Sequence, residues 1–141
     1  MLGMKKRGFG QGKWNGFGGK VEARESIEKA MKRELKEEIG IIPRSFEKKA
    51  LFEFHFKDNP EYLEVHVFYI PSFEGEPKET EEMRPQWFSK EKLPFESMWP
   101  DDKHWLPLFL EGKTLRGRFS FGDDDVLIDY TLKEGDFTFG S

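Results

Sequence analysis

Three glutamates, Glu34, Glu37 and Glu38, are spaced so that their side chains can work together. Residues three and four apart share one face of a helix, so the oxygens of these carboxylates can converge. Converging carboxylates suit one or two hard divalent cations, and Mg2+ in particular favours oxygen ligands and binds substrate phosphates as well. The simpler alternative is a charged surface helix in which Arg33 and Glu37 form an i,i+4 pair worth a few tenths of a kcal/mol. That alternative accounts for Glu28 and for Lys29, Lys32 and Lys36, which fall on a solvated side. It does not account for Glu34 and Glu38. At about 100° per residue they lie within roughly 20° of Ile27, on the apolar stripe with Ala30, Met31 and Leu35. Glu37 lies at the edge of that stripe. Carboxylates facing a core are costly unless something pairs with them.

The element that must position them is a helix predicted over residues 26–39, closed by Gly40, with Pro43 soon after. Gly16, Phe17, Gly18 and Gly19 precede it, and a glycine-rich backbone can approach a metal or a phosphate closely. Gly19 is followed at fixed intervals by Glu25, Arg33-Glu34-Leu35, Glu37-Glu38 and Gly40-Ile41. This pattern resembles the Nudix box at every defined position. At average residue usage such a match arises by chance on the order of once in 10⁹ starting points. The resemblance implies a Mg2+-dependent hydrolase of phosphoric anhydrides, with Mn2+ as the alternative ion. It implies metal ligands at Gly18, Glu34, Glu37 and Glu38. Arg33 would orient a catalytic glutamate, and Glu25 would have a supporting role.

Blocks outside the box narrow the resemblance. Lys5 to Lys20, Glu82 to Phe88 and Trp99 to Asp102 are similar to one Nudix branch, the animal MutT homologues that act on oxidised purine nucleoside triphosphates. Hydrolysis to the monophosphate and pyrophosphate would then remove 8-oxo-dGTP and 2-hydroxy-dATP from the nucleotide pool, a DNA damage and repair role. The resemblance places Asn15, Phe54, Met83, Trp99, Pro100, Asp101 and Asp102 around the base, with Lys5, Phe17, Gly18, Gly19 and Lys20 near the ligand. It gives Glu82 a further metal or catalytic role. The general base is Glu38 or Glu82. The alternative for Glu82 is an ordinary acidic run with Glu79 and Glu81.

A purine pocket also follows from side-chain chemistry. Asn15 offers donors and an acceptor. Two carboxylates in one apolar pocket cannot both ionise cheaply, so one of Asp101 and Asp102 is expected to stay protonated. A neutral acid beside an anion reads a base edge as donor and as acceptor. Oxidation of guanine at C8 turns N7 from an acceptor into an N–H donor, which such a pair distinguishes. The alternative for Asp101-Asp102 is a helix N-cap with an acidic first turn. Two competing functions remain: a Nudix hydrolase of another nucleoside diphosphate derivative, and an inactive nucleotide-binding form. The second arises because the branch carries a hydrophobic strand ahead of the segment equivalent to Leu2–Lys5, with which this sequence opens. Its lack predicts an exposed sheet edge and a thinner pocket wall.

The 141 residues suit a single domain, residues 1–141. A net charge of −4 with both signs interspersed argues against binding nucleic-acid polymers or anionic membranes. The lack of cysteine excludes a disulfide framework and thiol chemistry. No apolar run is long enough to cross a bilayer, and the expectation is a cytoplasmic monomer, with mitochondrial or nuclear pools as further settings. His55, His66 and His104 lack zinc spacing and read as structural or surface residues. Trp105 and many of the fifteen phenylalanines read as core. Elsewhere the pattern predicts strands over 46–57 and 62–70 joined by a turn, the second buried on both faces. An acidic loop over 71–82, a short strand over 84–88, a helix over 99–110 and a closing hairpin around 122–125 follow. The sum is α+β, a mixed sheet between helices, and it agrees with the Nudix α/β/α sandwich.

Overall fold

A computed structural model describes residues 1–17 and 23–135. The elements are β1 (Leu2–Lys5), β2 (Trp14–Asn15), α1 (Ile27–Ile39), β3 (Ile42–Phe56), β4 (Tyr62–Glu74), β5 (Met83–Gln86), α2 (Asp102–Leu110), β6 (Leu115–Phe121) and β7 (Leu127–Glu134). One-turn 3₁₀ helices lie at Phe95–Ser97 and Asp123–Asp125. The strands form a three-stranded sheet, order β2-β1-β5, and a four-stranded sheet, order β4-β3-β6-β7. The larger sheet is mixed, since β3 and β6 are parallel while β6 and β7 are antiparallel. The α+β expectation therefore holds. The chain clusters into two compact units, one from Met1–Phe46 with Ile70–Trp99, the other from Glu47–Tyr69 with the residues from Pro100 on. Strands β3 and β4 contribute residues to both.

In the first unit, α1 starts where Ser26 accepts the Lys29 N–H at 3.1 Å, a side-chain N-cap. It stops where Gly40 turns left-handed, φ 75° and ψ 24°, and donates back to the carbonyls of Leu35 and Lys36. A residue without Cβ takes that conformation cheaply. Leu35 and Ile39 from α1 pack with Ile41 and Met83 in a buried cluster, flanked by Met31, Phe17, Ile70 and Phe73. Strand β1 is central in its sheet, antiparallel to both β2 and β5. Both of its ladders are taken, so the expected open edge does not lie at Leu2–Lys5.

In the second unit, residues 50–56 of β3 pair in register with residues 115–121 of β6. Phe52 and Phe119 are wholly buried and meet edge to face at 5.3 Å, and Phe54 meets Phe119 and Phe121 in the same manner. Edge-to-face pairing places the positive ring rim against a negative face.

Two expectations need correction. Strand β3 begins at Ile42, before Phe46, because proline ends a helix yet is tolerated near the start of a strand, where its missing N–H costs no ladder bond. Strand β4 was expected to be central and covered on both faces, and to give way to a loop at Pro71. It lies at the edge of its sheet and runs on to Glu74, with Tyr62, Leu63 and Tyr69 exposed. Aromatic and β-branched residues favour any strand, so their presence on both faces marked strand propensity rather than burial.

Candidate functional site

The box helix presents its carboxylates in graded exposure. Glu38 is 1 % exposed. The side chain of Glu34 is 15 % exposed and that of Glu37 56 %. Arg33 is the hub among them. Its guanidinium holds Glu25 through two bonds, Nε to Oε2 at 2.7 Å and Nη2 to Oε1 at 3.1 Å. Nη1 donates to Glu34 at 2.7 Å and to Glu37 at 3.1 Å. A planar fork of donors suits this bidentate contact better than an ammonium would. Arg33 thus ties Glu25, ahead of the helix, to two glutamates on it.

Among the described residues, no three Asp, Glu or His side chains are gathered as a metal cluster. Arg33 supplies a reason, because it draws Glu34 and Glu37 towards itself. The donors nonetheless fit a hard divalent cation. All are carboxylates, Glu34 and Glu37 each retain a second oxygen after one bond to Arg33, and Glu38 is buried on the same helix. Gly18, Gly19 and Lys20, expected at the ligand, lie outside the described residues.

Glu82 sits at the end of the loop before β5, its side chain 41 % exposed and 3.6 Å from Arg7. It neighbours Glu81, which Arg7 also faces at 3.6 Å. Met83 is only 2 % exposed and belongs to the apolar cluster with Leu35. Phe17 reaches over the same cluster and lies against Gly3, where an added Cβ would stand 2.6 Å from its ring.

Asn15, Trp99 and the loop after β1 form a second grouping in this unit. Asn15 Nδ2 donates to the Lys13 carbonyl at 2.8 Å and to the Gly10 carbonyl at 3.5 Å. A Cβ on Gly10, which has φ 86°, would stand 3.3 Å from Trp99 Nε1 and 3.5 Å from Asn15 Oδ1. Phe9 lies 4.9 Å from the Trp99 ring and Lys13 stands 5.4 Å over it. The glycine lets the backbone come between indole and amide. Lys5 is half-buried, its N–H donating to the Lys13 carbonyl.

In the other unit the Asp101 carboxyl is 1 % exposed. Its backbone occupies the N-cap position of α2, but φ −75° and ψ −27° are already helical and the side chain caps nothing. Asp101 thus holds the N-cap position and Asp102 is the acid of the first turn, as the alternative expects, but the Asp101 side chain makes no capping bond. Oδ2 accepts the Trp105 indole N–H at 2.8 Å, and Oδ1 has no hydrogen-bond partner among the described residues. Burial pushes this carboxyl above the usual aspartate range, against the pull of the Trp105 donor and of Asp102. A buried carboxyl oxygen without a partner is a candidate contact for a ligand. Trp105, expected as core, also has a polar end, which Asp101 binds. The signal was available, since Asp101 and Trp105 are four apart, one turn of a helix. Asp102 and Pro100 are half-buried beside it, and Phe54 is half-buried in the aromatic cluster with Phe119.

A family model described as the NUDIX domain matches residues 2–109. The "Oxidized purine nucleoside triphosphate hydrolase" of Mus musculus is 49 % identical over 136 residues, covering 96 % of this chain and 87 % of the mouse protein. The protein of that name from Danio rerio is 50 % identical over 134 residues, covering 95 % and 86 %. The "8-oxo-dGTP diphosphatase" of Escherichia coli is 36 % identical over 72 residues, about half of each chain. The crystal structure of the MutT protein from Bacillus halodurans superposes with a TM-score of 0.78 at 29 % identity, covering 93 % of this chain and 87 % of that one.

Proposed function

The chain belongs to the NUDIX family of hydrolases, and from that footing we propose that it converts oxidised purine nucleoside triphosphates, of the 8-oxo-dGTP and 2-hydroxy-dATP type, to the monophosphate and pyrophosphate. The observation that carries the substrate is Asp101, a buried carboxyl with one oxygen held by Trp105 and the other unmatched. The names of the mouse and zebrafish relatives support the same substrate class.

Glu34, Glu37 and Glu38, with the Gly18 carbonyl, are the groups that would hold a divalent cation, Mg2+ or Mn2+, and Glu82 is a further candidate. Such a cation, when bound, neutralises phosphate charge and makes water a stronger nucleophile. Arg33 keeps Glu34 and Glu37 on one side of the helix, and Glu25 in turn holds Arg33 in place. Glu38 or Glu82 takes the proton of the attacking water as general base. Asp101, protonated, donates to an acceptor on the base edge, while ionised Asp102 accepts from the N7–H that oxidation creates. With the proton exchanged between them, the pair accommodates an oxidised adenine. By the family resemblance, Asn15, Phe54 and Trp99 are further candidates to contact the base, and Lys5 and Lys20 are candidates to contact the rest of the ligand. We infer a monomer acting on the cytoplasmic nucleotide pool. No described helix is long and apolar enough to cross a membrane.

A substrate panel tests this reading. Product release would be followed from 8-oxo-dGTP, 2-hydroxy-dATP, dGTP, a dinucleoside polyphosphate and a nucleotide sugar. The expected result is monophosphate and pyrophosphate, with kcat/KM at least roughly tenfold higher for the oxidised nucleotides, as one discriminating hydrogen bond at the base edge provides. Preference for the polyphosphate or the sugar would assign another Nudix substrate. Binding without turnover would leave a nucleotide-binding module.

A further inference from the structure

The loop between β4 and β5 lies along the C-terminal end of α1. Helix ends leave carbonyls without intrahelical partners, and this loop takes two of them. The Lys78 N–H donates to the Ile39 carbonyl at 2.9 Å, and the Thr80 hydroxyl donates to the Glu38 carbonyl at 2.7 Å. The backbones are close enough that a Cβ on Gly75 would stand 3.0 Å from the Gly40 carbonyl oxygen.

Thr80 does more than close the helix. Its oxygen also accepts from the N–H groups of Glu82 and Met83, each at 3.3 Å, and its own N–H donates to the Met83 carbonyl at 2.9 Å. One hydroxyl therefore joins the backbone of Glu38 to the backbone of Glu82. Just after β1, Lys6 grips the same loop: its ammonium bonds the Thr80 carbonyl at 2.8 Å and pairs with Glu79, and its N–H donates to the Glu82 carbonyl at 2.9 Å.

We propose that Thr80 is a positioning residue for hydrolysis, its hydroxyl fixing the register of the Glu82 loop on the Glu38 end of the box helix. This rests on the hydrolase reading above, in which one of those two glutamates is the general base and the other stands beside the phosphates. Lys78 and Lys6 keep the loop attached without the hydroxyl. What the hydroxyl adds is the relative setting of two carboxylates borne on separate elements, to which a proton transfer is sensitive.

The test compares wild type, Thr80→Val and Thr80→Ser. Valine keeps the branched shape and removes the hydroxyl, and serine keeps the hydroxyl and removes the methyl. Melting temperature, Mg2+-dependent kcat and KM on 8-oxo-dGTP, and amide hydrogen exchange at Glu82 and Met83 are measured. In Thr80→Val, exchange at the two amides should quicken and kcat should fall by roughly tenfold or more, with KM within about twofold. Thr80→Ser should restore both. Should valine prevent folding, Thr80→Ala is read in the same way. A valine variant with wild-type kcat, a kcat loss matched by an equal rise in KM, or a loss that serine does not recover would overturn the role of Thr80. A folded wild type that turns over no nucleotide would instead sink the hydrolase reading, and the role of Thr80 with it.

Discussion

A carboxyl moved out of water loses more solvation as an anion than as an acid, so the burial of Asp101 favours its proton. The sign of the consequence follows from linkage. A folded-state pKa above the unfolded one gives a stabilising contribution that is complete below the unfolded value, about pH 4 for aspartate. That contribution is lost as pH rises through the raised pKa, where the native protein must ionise a buried group. Asparagine at this position has no proton to lose. The stability of wild type relative to Asp101→Asn, followed by thermal melting across pH, should be highest at the acid end and decline as the pH climbs. A difference that stays constant with pH would mean that Asp101 titrates as it does in the unfolded chain. Arg33 is the opposite case, a permanent charge met by three carboxylate partners.

At the scale of the element, α1 is a short helix that must hold its carboxylates at fixed angles, so its ends matter. Gly40 has the left-handed φ of 75°, and a Cβ there would meet nothing within 4 Å. Substitution therefore costs backbone strain without a clash. Gly40→Ala should lower stability by about 1 kcal/mol, seen as a fall of roughly 3–5 °C in melting temperature. Gly40→Asn should lose less, because asparagine tolerates this conformation better. Equal losses for the two would show that the cost lies elsewhere than in φ. The helix was legible because its signals are local: Ser26 at one end, Gly40 at the other and an apolar stripe between. The chemistry of the box was legible for the same reason, since residues three and four apart meet on any helix. Burial of Glu38 followed from its angle relative to Ile27. The partners of Arg33 were only half legible. Glu37 lies one turn on, but Glu25 reaches Arg33 across the helix start, which periodicity does not describe.

At the scale of the whole molecule, legibility fell where distant segments decide. Whether β4 is an edge or a centre depends on which strands come to lie beside it, and nothing in Tyr62 to Ile70 records that. The parallel pairing of β3 with β6 joins segments separated by all of β4, β5 and α2. The loop from Gly75 to Glu82 read as an acidic connection, yet the carbonyls of α1 and the ammonium of Lys6 give it a fixed seat. Trp105 read as core because an indole is mostly apolar, although its N–H finds Asp101. The residues expected to act were thus named from the sequence, while several of the groups that hold them came only from the fold.

The most direct test of the central claim is pyrophosphate release from 8-oxo-dGTP by wild type and by Glu38→Gln, each with Mg2+ and with EDTA. Glutamine keeps the size of the side chain and removes its charge and basicity. Wild type should release pyrophosphate with Mg2+ and none with EDTA, and Glu38→Gln should be slower by a factor on the order of 10² to 10⁴ while remaining folded. Release that persists in EDTA, or a folded Glu38→Gln variant as fast as wild type, would contradict hydrolysis by the carboxylates of this helix.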